Sequence, residues 1–432
     1  MSRLRMVPGV AISFAVQVIG GGLSAFTGLY LARALGPADK GSAQVLVLVP
    51  AILIVLSNLG VHVAGAWFLS RGRYELHKVL SAVFWWALTV STVIAVPLWF
   101  GRELLQLWVF RGLPMPLVLL SLGCVPLYIL AYYTADVLMA SSRFVLYAIL
   151  RLIPLVVYCL SAMLLVGVYK WGLFGATTAF VAGITASGLF ALIVIVVLSR
   201  GRLALDLAIM RHALQFGGYV HAGTVSQFLV FKVDVLIVNA ISGGAAAGLY
   251  ALAASLAEVV WFIGRAVESV IVSRIARAGA DEAADISGTA LRITVSASVL
   301  AAAAIALIGI PLVHRALPAY VDALPVLGLL LPAAVMAGLF IVAAGDLRGR
   351  GRPELAAIVS VSGLAANLVL NFALVPSFGI VGAAWASLST YAIQAALAVT
   401  AVSRLSGVPY SAIFALSTRD LNVVRSITRQ FR

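Results

Sequence analysis

Charge is what this sequence has least of. Only 10% of its 432 residues are Asp, Glu, Lys or Arg, where a soluble domain carries about a quarter. Hydrophobic residues make up 63%, and the mean hydropathy is +1.11. A chain so short of charge cannot present a solvated surface around a core of this size, which excludes a water-soluble fold. Acidic residues are scarcer still, 15 against 29 basic ones, for a formal net charge of +14. The basic residues sit in short connections between apolar runs and form no single amphipathic surface, so the expected counter-charge is anionic lipid and not nucleic acid.

Cysteine is nearly absent. Cys124 and Cys159 both fall inside apolar stretches, where a thiol behaves as a small hydrophobe, and their spacing fits neither a disulfide framework nor a zinc site. The sequence also lacks a GxxxxGK[ST] phosphate loop, so ATP hydrolysis by this chain has no support. The longest outward connection, near residues 101–115, is too short to hold an extramembrane catalytic domain. These absences argue against an enzyme, and no catalytic residue, metal site or cofactor is assigned.

What the sequence does have is long apolar runs. A helix crosses the bilayer core with about 20 apolar residues, and runs of that kind fall near 7–35, 43–70, 79–100, 116–140, 144–168, 172–198, 214–240, 245–272, 288–314, 324–345, 355–376 and 380–403. The first is too long for the apolar region of a cleavable signal peptide and reads as a span. Twenty of the basic residues lie at the termini and in the even-to-odd connections, and only five (Lys40, Arg102, Arg111, Lys170 and Arg315) in the odd-to-even ones. The positive-inside rule then places both termini in the cytoplasm. The expectation is an all-α, multi-pass protein of a bacterial or archaeal cytoplasmic membrane.

The chain also repeats itself. Gly36-Pro-Ala-Asp-Lys-Gly41 after span 1 and Gly243-Gly-Ala-Ala-Ala-Gly248 after span 7 are displaced by 207 residues, and so are Trp171-Gly172-Leu-Phe-Gly175-Ala176 and Phe378-Gly379-Ile-Val-Gly382-Ala383. One constant offset at both ends of two halves, each with an even number of spans, implies two parallel six-helix lobes related by an axis along the membrane normal. The expected lobes are residues 1–203 and 204–403, around a central cavity. Residues 404–432 form a basic tail with Leu421, Val424, Ile427 and Phe431 at helical spacing, expected to lie as an amphipathic helix on the inner leaflet.

Several segments carry a resemblance to a known family: Leu31-Ala-Arg33-Ala-Leu-Gly36-Pro37 with Gly41, Phe231-Lys232-Val-Asp234 leading to Gly248-Leu-Tyr250, Ser273-Arg274-Ile-Ala, and Gly349-Arg-Gly351-Arg-Pro353 leading to Asn367, Asn371, Pro376, Phe378-Gly379 and Gly382-Ala383. In order and spacing the chain resembles the polysaccharide transporter family, the O-antigen and exopolysaccharide flippases of the multidrug/oligosaccharidyl-lipid/polysaccharide superfamily. The resemblance implies a MATE-like, two-lobed carrier that moves an undecaprenyl-diphosphate-linked oligosaccharide to the outer leaflet by alternating access. Its partners would be that lipid and other polysaccharide assembly proteins. Two other readings remain: a multidrug/cation antiporter of the same superfamily, and a non-transporting accessory protein or enzyme of polysaccharide assembly.

Charged side chains inside a span cost roughly 2.5–3.5 kcal/mol each, so they mark candidate sites. In span 8, Glu258, Trp261, Arg265 and Glu268 share one stripe at helical spacing, on which Arg265 is expected to pair with Glu268 and stack on Trp261. Lys232 and Asp234 in span 7 point to different faces and need partners on different helices. Arg33 and Arg151 lie toward span ends, where snorkelling competes with lining an anionic path. Asn367 and Asn371, four apart, share a face of span 11. The cations Arg33, Arg151, Lys232 and Arg265, with Trp261, Asn367 and Asn371, are the candidate substrate-binding set. Asp234 and Glu258 are the candidate ion-coupling residues, for a proton or sodium gradient. Gly20-Gly21-Gly22 at mid-span 1 reads as a packing site or a break, and Tyr128, Tyr132 and Tyr133 as core or as sugar-stacking platforms.

Overall fold

The computed structural model describes residues 3–59, 69, 74–407 and 410. Among them the secondary structure is helical, with no strand. The helices are α1 (Arg3–Ser57), α2 (Leu76–Phe100), α3 (Arg102–Trp108), α4 (Met115–Gly123), α5 (Val125–Ala140), α6 (Phe144–Ala162), α7 (Gly172–Ser199), α8 (Leu207–Glu258), α9 (Trp261–Ile275), α10 (Ala280–Ala316), α11 (Leu324–Gly349) and α12 (Pro353–Ser406). A π-helical turn, Met163–Val168, extends α6, and a 3-10 turn, Pro318–Ala323, precedes α11.

Among the described residues, nine helical stretches are long and apolar enough to cross a membrane. Three of the nine, in α1, α8 and α12, contain a corner at a single glycine: Gly36 (φ 74°, ψ 174°), Gly243 (φ 86°, ψ 174°) and Gly379 (φ 54°, ψ −134°). Those in α1 and α12 therefore each supply two crossings, and the one in α8 supplies one and, continued by α9, the next, so that the twelve spans read from the sequence have counterparts among the described residues. The protein is a multi-pass membrane protein. Where the sequence suggested a connecting loop after span 1, one residue suffices. A side chain at φ 74°, ψ 174° meets its own backbone, so this conformation belongs almost entirely to glycine. Pro37 then restarts the helix at a position whose N–H has no intrahelical acceptor to lose.

The 207-residue displacement is visible in the backbone. Gly36 and Gly243 share one conformation, and Gly172 and Gly379 both have φ near +55°. A β-carbon on Gly175 would lie 2.9 Å from Cβ of Trp171, and one on Gly382 would lie 3.1 Å from Cβ of Phe378.

The chain divides into two compact units. One comprises Met1–His221 and Val238–Ala251, the other Ala222–Ile237 and Leu252–Arg432, so that α8 contributes to both. In the first unit Leu80, Val83, Trp86, Ile129, Tyr133 and Ile195 form the centre of the core. Two polar groups at that centre are matched: the Tyr133 hydroxyl lies 2.7 Å from that of Ser57, and the Trp86 indole N–H donates to the Ser57 carbonyl at 3.3 Å. The corners at Gly36 and Gly243 meet within this unit. A β-carbon on Gly41 would run into the backbone of Gly244 and Gly248, and one on Gly248 into Pro37. In the second unit α11 is central, with 78% of its most apolar window buried. It approaches α9 where Gly264 meets Gly338, an approach that small residues permit.

Several sequence readings are revised. The span-8 stripe is interrupted, because α8 ends at Glu258 and α9 starts at Trp261, and the N–H groups of Val260, Phe262 and Ile263 bond three residues back. Span 4 likewise breaks at Cys124, where Pro126 enters the first turn of α5. The glycine triplet does not break α1; a β-carbon on Gly20 would sit 3.1 Å from a Leu155 methyl, which supports the packing reading. The expected amphipathic tail lies, beyond Gly407 and Tyr410, outside the described residues.

Candidate functional site

Three of the sequence-selected polar residues of the second unit, Asp234, Asn367 and Asn371, converge on one place with residues the sequence did not single out. Gln227, Val230 and Asp234 lie three and four residues apart on α8, Asn367 and Asn371 four apart on α12 before its corner, and Ser387, Thr390, Tyr391 and Gln394 at helical spacing after it. Helical periodicity puts each set on one face. The sets are joined by hydrogen bonds. Asp234, 2% exposed, accepts from the Asn371 amide at 2.8 Å and from the Ser387 hydroxyl. The Tyr391 hydroxyl donates to the Val230 carbonyl at 3.3 Å, and the Gln394 amide to the Gln227 side-chain oxygen at 3.2 Å. Gly363 makes room, since a β-carbon there would collide with Gln394.

This cluster is only partly satisfied. Oδ1 of Asn367, Oδ1 of Asn371, Oγ1 of Thr390 and Oε1 of Gln394 are buried with no hydrogen-bond partner, as is the Asn367 amide nitrogen. An unpaired buried polar atom typically costs 1–3 kcal/mol, and several in one cluster mark a place built to take a ligand. A carboxylate beside neutral oxygens is the donor set of a hard cation or a proton. Among the described residues, no group of three or more His, Cys, Asp and Glu side chains is placed to hold a metal ion.

Lys232 and Asp234 take separate partners, as their opposite faces require. Lys232 Nζ donates to both carboxylate oxygens of Glu258, at 2.7 and 2.8 Å, and each side chain is about a quarter exposed. Beside them the Trp261 ring stacks on Phe231 with centroids 4.1 Å apart, and the Tyr391 ring meets both edge-on. The expected Arg265 ion pair and ring contact are not formed among the described residues. Glu268 is bound by Arg348, Trp261 is occupied by Phe231, and Arg265 is exposed and acts on Glu268 only through its field, beyond ion-pair distance. The turn after Glu258, with its bonds three residues back, departs from the even spacing on which the stripe was read.

In the first unit Arg151 does not simply snorkel. Its guanidinium bonds Asp136 at 2.5 Å, lies over the Tyr132 ring at 4.3 Å and stands 5.8 Å from the Tyr147 ring, while its Nε has no partner. Asp136 is thus an ion-pair partner more than an interfacial residue. Arg33 is exposed. Of the tyrosines, Tyr133 is core, Tyr128 packs edge-on against Phe180, and Tyr132 supports Arg151.

Sequence reasoning missed Gln227, Ser387, Thr390, Tyr391, Gln394 and Lys40. Lys40, read as a loop residue, is 8% exposed and donates to Gln44 at 3.1 Å. The first five carried a signal in their helical spacing within apolar spans, but neutral residues were not weighed as charges were.

Residues 30–317 match the family model described as "Polysaccharide biosynthesis protein". No curated protein matches the chain. Among solved structures, an inward-facing multidrug resistance MATE family transporter of the MOP superfamily is 12% identical with a TM-score of 0.75, over 92% of this chain and 99% of that one. The lipid II flippase MurJ, in an inward closed conformation, is 13% identical with a TM-score of 0.76, over 98% and 93%. The Vibrio cholerae MATE transporter VcmN in the bent form is 17% identical with a TM-score of 0.59, over 96% and 100%. At these identities the likeness is one of fold, and the fold is MATE-like.

Proposed function

The chain belongs to the polysaccharide biosynthesis protein family, and on that premise we propose that it is a flippase for an undecaprenyl-diphosphate-linked oligosaccharide, moving it from the inner to the outer leaflet by alternating access. The observation that carries this reading is the pair of partly exposed cations inside membrane spans, Lys232 on Glu258 and Arg151 on Asp136. A cation that faced only hydrocarbon would be better replaced by an apolar residue. A cation held in reserve by a carboxylate, with part of its surface open, can exchange that partner for a diphosphate. Arg33 in the first unit and Arg265 in the second, both exposed and in no ion pair among the described residues, are the further cations proposed for the diphosphate, whereas Trp261 is buried with its ring stacked on Phe231 and serves packing.

Coupling to an ion gradient falls to the Asp234 cluster. Its orphaned oxygens fit a sodium ion or a proton, and Asp234, Asn367, Asn371 and Thr390 would hold it. The bound cation would neutralise the carboxylate, and its release would leave a buried charge that the unit must rearrange to accommodate. Glu258 is the second coupling residue, since release of its ion pair would free Lys232 for the cargo. In the membrane of the cell the basic connections would face the cytoplasm and anionic lipid.

A second reading, a drug or cation antiporter, is favoured by the same Asp234 cluster, which needs no anionic cargo. Reconstitution into vesicles with fluorescent lipid-linked oligosaccharide separates the two. Ion-dependent appearance of the label in the opposite leaflet supports the flippase. Ion-driven uptake of a cationic dye with no movement of the lipid supports the antiporter.

A further inference from the structure

The first unit contains a second feature that the transport reading does not use. An apolar cavity of about 240 Å³ runs along the end of α2 between that helix, α3 and α4, and continues to the start of α5. Leu98, Leu105, Val118, Leu119 and Leu122 give it its character. Its polar lining is Ser91 of α2 at one end and Arg102, the first residue of α3, at the other.

The volume is below the roughly 300–1,000 Å³ of ordinary small-molecule pockets, too small for an oligosaccharide but suited to a stretch of one hydrocarbon chain. Arg102 is fixed at the membrane-surface end by a bond to the Trp99 carbonyl at 3.2 Å and by the Trp99 ring at 4.8 Å. Among the described residues no carboxylate pairs with it. It is one of the few cations on the side of the membrane that the charge distribution leaves nearly bare. Around it Phe100, at the end of α2, and Leu104, Leu107 and Trp108 of α3 are exposed, as in a short helix lying in the headgroup region.

We propose that this groove binds one acyl chain of an anionic phospholipid, with the phosphodiester seated on Arg102. A single guanidinium beside the exposed Glu103 matches a singly charged phosphodiester and not a diphosphate. The lipid is therefore a resident of the leaflet, distinct from the proposed cargo.

Native mass spectrometry of the delipidated full-length protein titrated with phosphatidylglycerol tests this, with phosphatidylcholine and an undecaprenyl diphosphate as competitors. The wild type should retain one phosphatidylglycerol. Arg102→Gln should weaken that retention roughly tenfold, the loss of one charge-assisted contact, and Leu98→Trp, which fills the groove, should abolish it. Arg102 bonds only a backbone carbonyl, so its variant keeps the test decisive should the tryptophan variant fail to fold. Equal retention by wild type and Arg102→Gln overturns the proposal. So does displacement of phosphatidylglycerol by undecaprenyl diphosphate at equal or lower concentration, which would assign the groove to the carrier lipid.

Discussion

Asp234 offers the sharpest test of the second unit, because two substitutions there remove the same charge and should differ in stability. In Asp234→Asn the new side chain keeps the shape of the old. Its oxygen still accepts from Ser387, and its amide can donate to Asn371 Oδ1 if that side chain turns over, since Oδ1 has no partner now. The expected cost is below about 1 kcal/mol. In Asp234→Ala one N–H of Asn371 loses its acceptor at a position only 2% exposed, while the other keeps the Asn367 carbonyl and Ser387 keeps its contact with Tyr391. At about 1–3 kcal/mol for an orphaned buried donor, the loss is about 1–3 kcal/mol. The assay is thermal unfolding in detergent across a sodium series and a pH series, with transport measured on the same preparations. The wild type should be stabilised by sodium or by protons, by about 2.7 kcal/mol at a hundredfold excess over the dissociation constant. Both variants should lose that response, and Asp234→Asn should remain folded yet fail to couple transport to a gradient. Undiminished, gradient-dependent transport by Asp234→Asn, or an alanine variant as stable as the asparagine one, would refute the argument.

Three further outcomes follow from other contacts. Lys232→Met should cut lipid-linked oligosaccharide flipping at least tenfold while Glu258→Gln, which keeps an acceptor for Lys232, should be milder; the exchanged pair K232E/E258K should recover stability but not transport, and recovery of both in a vesicle assay would show the ion pair to be purely structural. Gly36→Ala should cost about 1–3 kcal/mol from backbone strain alone, read as a lower unfolding temperature with unchanged helicity. Gly248→Val should cost more, since its β-carbon meets the Pro37 backbone, which cannot yield as a side chain would; a melting temperature within 2 °C of wild type, about the shift expected of a small perturbation, would contradict the close approach of the two corners.

The expectation that failed most instructively is the Arg265 stripe. Residues 258, 261, 265 and 268 have helical spacing, and spacing gives a face only while the helix is continuous. Nothing in Glu258-Val-Val-Trp261 marks an interruption, because no Gly or Pro stands there, and the break is decided by packing: Trp261 turns onto Phe231 and Tyr391. Spans and repeat were legible for the opposite reason. Bilayer thickness fixes the length of each apolar run, and positive-φ corners leave glycine as nearly the sole choice, so those constraints are written in one residue or one composition window at a time. The ion pairs stand between these extremes. That Lys232 and Asp234 needed separate partners followed from their faces, and Glu258 was nameable because acids are so scarce in the spans. The Asp234 cluster was half legible. Its carboxylate and asparagines stood out, whereas Ser387, Thr390, Tyr391 and Gln394 are neutral and individually tolerable in a span, and acquire meaning only when the corner at Gly379 folds the second half of α12 back toward α8. A chain with so few charges is most readable at its charges, and the buried cluster around Asp234 is built largely from residues without any.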